Sequence, residues 1–321
     1  MKDIILSFPQ QFAKGIEAAE DIKLDGPFSN IIICGVGGSA LPGSLIPEMG
    51  IKFDLPLFTH RDYGLPKAAN QDSLILAISY SGNTEETLSA YKEAIARSYK
   101  IIAISTGGKL SEMAEQNNRP AVLIPKTGIQ PRCATGYLSA AVLKILSNCE
   151  IANNQDKNLL ELARALQPEN LEEQGKKLAE KLKDKTPIVY ASNQYKALAR
   201  VWKIKLNENS KVMAFWNYFP ELNHNEMVGL TNPQGKFHFL ILRDEVNDHE
   251  RNLKRMELFT ALAKEAGSNV DFIEIEGKTK LEKIFSTLLL GDWVSYYLAI
   301  AYNQDPTPVK IVENFKKRLS Q

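Results

Sequence analysis

Residues 73–97 read SLILAISYSGNTEETLSAYKEAIAR, and this stretch predicts three consecutive structural elements. The run 73–79 is apolar on both faces, as in a buried strand, and it leads into the small polar residues SYSGNT. Asn83 and Glu86 have the spacing of a capping box, which predicts that a helix begins there. One face of that helix is apolar and contains Leu88, Tyr91 and Ile95. The stretch therefore predicts a strand, a polar loop and a helix.

The same plan recurs through the first half of the chain. Short β-branched runs stand at 30–35, 55–59, 100–105 and 121–125, and most of the gaps between them have room for one helix. Runs that are apolar on both faces and alternate with helices predict a parallel sheet covered by helices on each side. The fold class is therefore α/β.

The second half repeats the plan more loosely, with strand-like runs at 186–192, 236–244 and 269–277. A polar, helix-favouring stretch without strand signals separates the two halves. We therefore predict an N-terminal α/β domain, a helical linker, and a C-terminal α/β domain that includes C-terminal helices, over residues 1–153, 154–185 and 186–321.

Composition restricts the function classes. Lys and Arg total 39 against 38 for Asp and Glu, so charge gives no reason to expect nucleic acid or a membrane as a partner. The apolar stretch 288–302 is shorter than a membrane span and contains Asp292, which predicts a buried helix. The first apolar run is too short for a signal peptide, and the three cysteines lack CxxC spacing. We therefore expect a cytoplasmic protein without structural zinc.

Glycine and hydroxyl residues follow three of the predicted strands, at 34–43, 79–84 and 105–108. In a parallel sheet such loops expose N–H groups and helix N-termini, and glycine lets an oxyanion approach the backbone closely. We predict a phosphate cradle in which Ser79, Ser81 and Thr84 bind the anion at the start of a helix. One such cluster alone is an ordinary turn or helix cap, but three at consecutive strand ends favour a binding site.

A dinucleotide site is the competing interpretation of the first loop, because Gly35, Gly37 and Ala40 match GxGxxA after a strand. Such a site also needs an acidic residue for the ribose near the end of the second strand. The nearest one, Asp62, comes after the expected end of that strand. The phosphate cradle therefore explains the loops better.

These loops resemble those of the sugar isomerase (SIS) domain, in which GVGGSA, SYSGNTEET and ISTGG occur in this order. Four further segments resemble the bifunctional phosphoglucose/phosphomannose isomerase family: PKTGIQPRCATGY at 125–137, LNENSK at 206–211, FPELNHNEM at 219–227 and DPTPVKIVENFKKRL at 305–319. SYSGNT alone is specific only for the superfamily, whereas the combination is far more specific. The resemblance implies two tandem SIS domains, each a flavodoxin-like three-layer sandwich with a parallel sheet flanked by helices.

The resemblance also implies an activity, the interconversion of glucose 6-phosphate or mannose 6-phosphate with fructose 6-phosphate through an enediol or enediolate. It implies a homodimer, a sugar 6-phosphate substrate, no metal and no other cofactor. It places the protein in carbohydrate metabolism, in glycolysis and gluconeogenesis. The relative activity on the two aldose phosphates is left open, and Thr307 is a candidate for the pocket wall that would decide it.

The family's functional positions carry over to named residues of this chain. Five residues match its sugar-phosphate contacts: Gly38, Ser39, Ser79, Ser81 and Thr84. Arg132 matches an arginine at the active site, and is expected to contact the substrate and to act in catalysis.

Three further residues match catalytic positions. Glu208 is similar to the family's base and His224 to its ring-opening acid, and Asn223 stands where some members have a second histidine. Lys316 is similar to the family's C-terminal lysine, with Lys317 and Lys310 as alternatives. The resemblance does not say whether His224 acts in its own subunit or across a dimer.

Elementary chemistry supports these residue types. A carboxylate such as Glu208 can take a carbon-bound proton and return it to the neighbouring carbon. Histidine titrates near neutrality and suits ring opening, and the amides and carboxylates around His224 are expected to fix its tautomer. The guanidinium of Arg132 stays charged and suits an enediolate oxygen. From the residues alone, each of the three could equally be an ordinary structural or solvated side chain.

Two other functions of SIS proteins are alternatives. A non-catalytic SIS regulatory protein that binds sugar phosphates would keep the hydroxyl loops and lack the base, whereas Glu208 and His224 are both present here. An amidotransferase would need a glutaminase domain, and a phosphoheptose isomerase is usually a single SIS unit. The isomerase interpretation is therefore favoured.

Overall fold

A computed structural model describes residues 1–319 of the chain. The strands are β1 (Asn30–Cys34), β2 (Leu57–His60), β3 (Ser73–Ile78), β4 (Ile101–Ser105), β5 (Ala121–Leu123), β6 (Thr186–Ser192), β7 (Phe215–Phe219), β8 (Phe237–Arg243) and β9 (Asn269–Glu274). The α-helices are α1 (Lys2–Leu6), α2 (Gln10–Ala18), α3 (Leu41–Leu45), α4 (Glu85–Ala96), α5 (Gly108–Gln116), α6 (Thr135–Asn148), α7 (Asp156–Ala165), α8 (Glu172–Leu182), α9 (Lys196–Glu208), α10 (Glu250–Glu265), α11 (Lys280–Ala301) and α12 (Lys310–Leu319).

The chain divides into two compact units. The N-terminal unit is Ser7–Leu166, and the C-terminal unit combines Met1–Leu6 with the described residues from Gln167 onward. The segment 154–185 is largely helical, and it contributes α7 to the N-terminal unit and α8 to the C-terminal unit. The domain boundaries at residues 153 and 186 stay predictions.

The N-terminal unit contains a parallel sheet with strand order β2-β1-β3-β4-β5. On one face, Tyr91 of α4 and Leu110 of α5 pack against Ile32 and Ile75 of the central strands. The alternate residues of the same strands are buried as well, so the sheet is covered on both faces. This is the two-sided parallel sheet that the sequence predicts.

The C-terminal unit contains a second parallel sheet, with strand order β7-β6-β8-β9. Its core holds four aromatic side chains, and the ring centroids of those in contact are 5.1–6.0 Å apart: Tyr190, Phe219, Phe239 and Phe259. The prediction of two tandem α/β units is therefore confirmed. Strand β7 is not predicted, because this short edge strand is half-exposed and lacks a continuous apolar run.

Helix α11 is the element that contains Asp292. By length and composition α11 could cross a membrane, but 72% of its apolar window is buried in the protein. Asp292 lies within this buried helix and forms an ion pair with Lys205 of α9. The predicted buried helix is confirmed.

The capping box predicted at Asn83 and Glu86 is wrong. Helix α4 begins at Glu85 with Thr84 as its N-cap residue, and the side chain of Thr84 makes no capping hydrogen bond. The Oδ1 of Asn83 instead accepts a hydrogen bond (3.2 Å) from the N–H of Lys109, in the first turn of α5. Asn83 therefore serves the neighbouring helix, because the two loops run side by side.

Candidate active site

Three polar loops lie beside one another at the carboxyl edge of the N-terminal sheet. Strands β1, β3 and β4 are parallel neighbours, with Cys34 paired to Ala77 and Ala77 paired to Ala103. Their carboxyl ends therefore meet at one edge. The structure brings together the three loops that the sequence predicts as a phosphate cradle.

The loop after β3 ends at the N-terminus of α4. The buried Ser79 donates from Oγ to the Oγ1 of Thr84 (2.8 Å), and its Oγ accepts the N–H of Thr84 (3.3 Å). Ser79 thus uses its hydroxyl hydrogen inside the loop and leaves that of Thr84 able to donate outward. The N–H groups of the first turn of α4 have no acceptor within the helix, so they add further donors.

The hydroxyl hydrogens of Ser39 and Ser81, like that of Thr84, are able to donate outward. The Oγ of Ser39 accepts the N–H of Tyr80 (3.0 Å), and the Oγ of Ser81 accepts the N–H of Asn83 (3.3 Å). Each oxygen is oriented by an accepted bond, while its own hydrogen can donate to a ligand. Oriented donors of this kind suit an anion.

The loop after β4 supports the loop after β3. Thr106 donates its N–H (3.0 Å) and its hydroxyl (2.8 Å) to the carbonyl of Tyr80. Gly82 has φ +70°, and a Cβ there would lie 1.7 Å from the carbonyl oxygen of Gly107. Only glycine fits this contact. The third predicted loop, after β4, therefore packs against the loop after β3 and supports it.

Gly38 lies directly against the backbone of the segment that carries Arg132. A Cβ on Gly38 would be 2.4 Å from the amide nitrogen of Arg132 and 2.5 Å from the carbonyl carbon of Pro131. Arg132 sits in the 3₁₀ helix Pro131–Cys133 and is only 1% exposed. The structure therefore brings the first loop into contact with the backbone of the arginine that the sequence predicts for the site, and this contact explains why residue 38 is glycine.

Glu208 is the last residue of α9, in the C-terminal unit, and it is half-buried. One turn earlier, Lys205 is fully buried and its Nζ lies 2.7 and 3.0 Å from the carboxylate oxygens of Asp292 on α11. One residue later, Asn209 donates to the Oγ of Ser295, also on α11 (2.9 Å). The end of α9 is therefore fixed to α11 on both sides of Glu208.

His224 ends the 3₁₀ helix Glu221–His224 and is exposed. The expectation that its neighbours fix its tautomer is not met, because none of them hydrogen-bonds His224 within residues 1–319. Their side chains bond elsewhere: Asn225 to Glu221, Asn223 to Met227 and Arg255, and Glu226 to Tyr190 and Asn217.

The candidate lysines lie on α12, which has no buried residue. Lys310, Lys316 and Lys317 are all exposed, so burial does not separate the three alternatives. Thr307 is half-buried just before this helix, and its N–H donates to Asp305 (2.9 Å).

Residues 171–319 match the family model of the bacterial phospho-glucose isomerase C-terminal SIS domain. A bifunctional phosphoglucose/phosphomannose isomerase of Caldicellulosiruptor bescii is 39% identical, over 100% of this chain and 99% of that protein. The chain belongs to the bifunctional phosphoglucose/phosphomannose isomerase family. A second member of this isomerase family, from Aquifex aeolicus, is 37% identical over 94% of each chain.

The fold of this isomerase family member is also similar to solved SIS structures. The C-terminal domain of glucosamine-fructose-6-phosphate aminotransferase from Francisella tularensis superposes with a TM-score of 0.73 at 16% identity, over 95% of this chain and 96% of that chain. At this identity the likeness shows the fold alone. The chain is thus a member of the isomerase family with the two-domain SIS fold.

Sequence reasoning missed Gln11, which holds the segment after Arg132. Its Nε2 donates to the carbonyl of Cys133 (2.8 Å), and its Oε1 accepts the N–H groups of Gly136 (3.1 Å) and Tyr137 (3.3 Å) at the start of α6. Gln11 is buried on the inner face of α2. A polar residue on an otherwise apolar helix face was the only signal in the sequence.

The contact at Gly38 leads to a prediction. We expect Gly38→Ala to lower kcat/KM for sugar phosphates about tenfold, because its Cβ must displace the backbone that carries Arg132. Gly26→Ala is the control, since a Cβ there meets only ordinary contacts at 3.6 Å or more. Initial rates and thermal unfolding of both variants check it. Wild-type kcat/KM in a folded Gly38→Ala protein would show that this close approach is not needed.

Proposed function

We propose that the chain is an aldose–ketose isomerase that interconverts glucose 6-phosphate, mannose 6-phosphate or both with fructose 6-phosphate. The set of oriented hydroxyl donors at the carboxyl edge of the N-terminal sheet carries this proposal, together with relatives that are named for these two isomerase activities. The hydroxyls of Ser39, Ser81 and Thr84, with the first N–H groups of α4, bind the phosphate oxygens. Ser79 holds Thr84 in place.

Glu208 carries out the proton transfer between C2 and C1. Its carboxylate takes the C2 proton of the open-chain aldose phosphate, which gives an enediol or enediolate, and returns the proton to C1. The hydroxyl proton on O2 passes to O1, directly or through water, so that C2 becomes the ketone carbon and C1 carries the hydroxyl. Arg132, and Lys316 of α12, balance the negative charge that develops on the two oxygens. The anchored α9 terminus keeps the carboxylate in one place during both transfers.

His224 acts as the acid in ring opening. As the bond between the anomeric carbon and the ring oxygen breaks, the ring oxygen gains a proton and the anomeric hydroxyl gives one up to solvent water. An imidazolium supplies the first of these protons near neutral pH. The exposure of His224 supports this role, because its ring is accessible to a substrate.

We also propose a cytoplasmic homodimer. The apolar face of α12 supports a second copy as partner, since Ile311 is 82% and Phe315 is 63% exposed in the single chain. All three cysteines are free and buried, which is in accord with a reducing compartment. Sedimentation or light scattering at micromolar concentration measures the assembly.

The activity is tested by a coupled assay with each aldose phosphate in turn. We expect turnover of at least one of them and formation of fructose 6-phosphate. A protein that binds fructose 6-phosphate and converts neither aldose would instead be the non-catalytic SIS regulatory protein.

The role of His224 is tested with a substrate that needs no ring opening. Fructose 6-phosphate without its C5 hydroxyl cannot close a furanose ring, so it stays open-chain. We expect His224→Ala to lower kcat/KM for fructose 6-phosphate by about 10²-fold and to leave the 5-deoxy ketose unaffected. Exchange of the C1 proton for deuterium, followed by NMR, measures both substrates. Equal losses on both would contradict a role in ring opening.

A further inference from the structure

The carboxylate of Glu226 is held by two neighbouring strands of the C-terminal sheet. Tyr190 of β6 donates its hydroxyl to Oε1 (2.6 Å), and Asn217 of β7 donates its Nδ2 to Oε2. Tyr190 and Asn217 are direct partners in the β6–β7 register. Each carboxylate oxygen is thus bound to a different strand, which fixes both the position and the rotation of the group.

The side chain of Tyr190 is held rigidly within the C-terminal sheet. Tyr190 is 1% exposed, and its ring packs against Phe219, Phe239 and Phe259. Burial, and then the hydrogen bond and charge of Glu226, raise the pKa of the Tyr190 hydroxyl above its usual range. The hydroxyl therefore remains a donor across the working pH range.

Glu226 lies in the same loop as His224. Two residues before His224, Leu222 is fully buried in the aromatic core, and two residues after it stands Glu226. Asn225 lies in between, and its Oδ1 accepts the N–H of Glu226 (2.6 Å). His224 itself is exposed, and these two anchors hold the backbone on either side of it.

We propose that Tyr190, Glu226 and Asn217 form a positioning clamp for His224, and that their contribution to catalysis is confined to ring opening. This rests on the proposed role of His224. Of the two anchors, Leu222 is a non-directional apolar contact, whereas the clamp is directional. Loosening the clamp lets the loop shift, and a displacement of about 1 Å is enough to lower a proton-transfer rate severely.

Tyr190→Phe tests the clamp, because it removes one hydroxyl and keeps the packed ring. We expect kcat/KM for fructose 6-phosphate to fall about tenfold, while kcat/KM for its 5-deoxy analogue stays at the wild-type level. Asn217→Ala removes the second donor from a half-buried site and is expected to act in the same direction. It serves as a second variant that leaves the aromatic core untouched.

Tyr195→Phe is the matched control. Tyr195 is equally buried in the same unit, and its hydroxyl donates to the Asp244 carboxylate over the same distance of 2.6 Å. That bond does not involve the His224 loop, so both substrates should be converted at the wild-type level.

The possible outcomes distinguish a failure of the clamp proposal from a failure of the proposed role of His224. If His224→Ala selectively loses ring opening and the two clamp variants do not, the clamp is overturned and the role of His224 stands. If His224→Ala shows no selectivity, the acid role itself fails. Loss on both substrates in Tyr190→Phe, or the same selective loss in Tyr195→Phe, would reduce Tyr190 to a structural role and overturn the proposal.

Discussion

Glu208→Gln is expected to lower turnover at least ~10²-fold with either aldose phosphate. The amide has the size of the carboxylate but cannot accept a proton from carbon near neutral pH, so both halves of the C2-to-C1 transfer are lost. Binding of fructose 6-phosphate should survive, because the hydroxyl cradle lies in other loops. A coupled assay gives turnover, and calorimetry with fructose 6-phosphate gives the affinity. Exchange of substrate protons with D2O should fall in parallel with turnover.

Glu257→Gln is the matched control for the loss of a glutamate charge. Glu257 lies on α10 in an exposed ion pair with Lys254 (3.3 Å), so its substitution should change neither turnover nor stability measurably. Full activity of Glu208→Gln would exclude Glu208 as the base. Loss of affinity together with turnover would make Glu208 a binding residue instead.

The sequence predicts those parts of this fold that depend on local pattern. The apolar run at 73–79 and the periodic face at Leu88 and Tyr91 appear as β3 and α4 almost to the residue. The polar loops also fall where predicted, because a parallel sheet places consecutive strand ends at one edge.

Contacts between distant parts of the chain explain what the sequence does not reveal. Asn83 caps a helix 25 residues further on rather than its own, and Gln11 bonds residues more than 120 positions away. The carboxylate of Glu226 accepts hydrogen bonds from Tyr190 and Asn217, not from its sequence neighbour His224. Motif matching identifies candidate chemical groups, whereas the groups that hold them become visible only in the folded chain.

The buried pair of Lys205 and Asp292 leads to the largest expected effect on stability. Lys205 is fully buried and Asp292 nearly so, and their charged groups lie 2.7 Å apart. We expect Asp292→Ala to lower the free energy of unfolding by about 3–5 kcal/mol, because the ammonium of Lys205 would be left buried without its carboxylate. The effect can be measured selectively by denaturation followed by fluorescence, since all three tryptophans, Trp202, Trp216 and Trp293, lie in the C-terminal unit.

A double variant separates charge from packing at this site. Lys205→Met combined with Asp292→Leu removes both charges, and we expect it to recover most of the lost stability, because an apolar pair avoids the desolvation cost of two buried ions. Glu257→Gln again provides the exposed comparison, with an expected change below about 1 kcal/mol. A loss of less than about 1 kcal/mol in Asp292→Ala would mean that water or another group of the protein compensates the charge of Lys205. The end of α9, and Glu208 with it, would then depend on Asn209 and Ser295 for its attachment to α11.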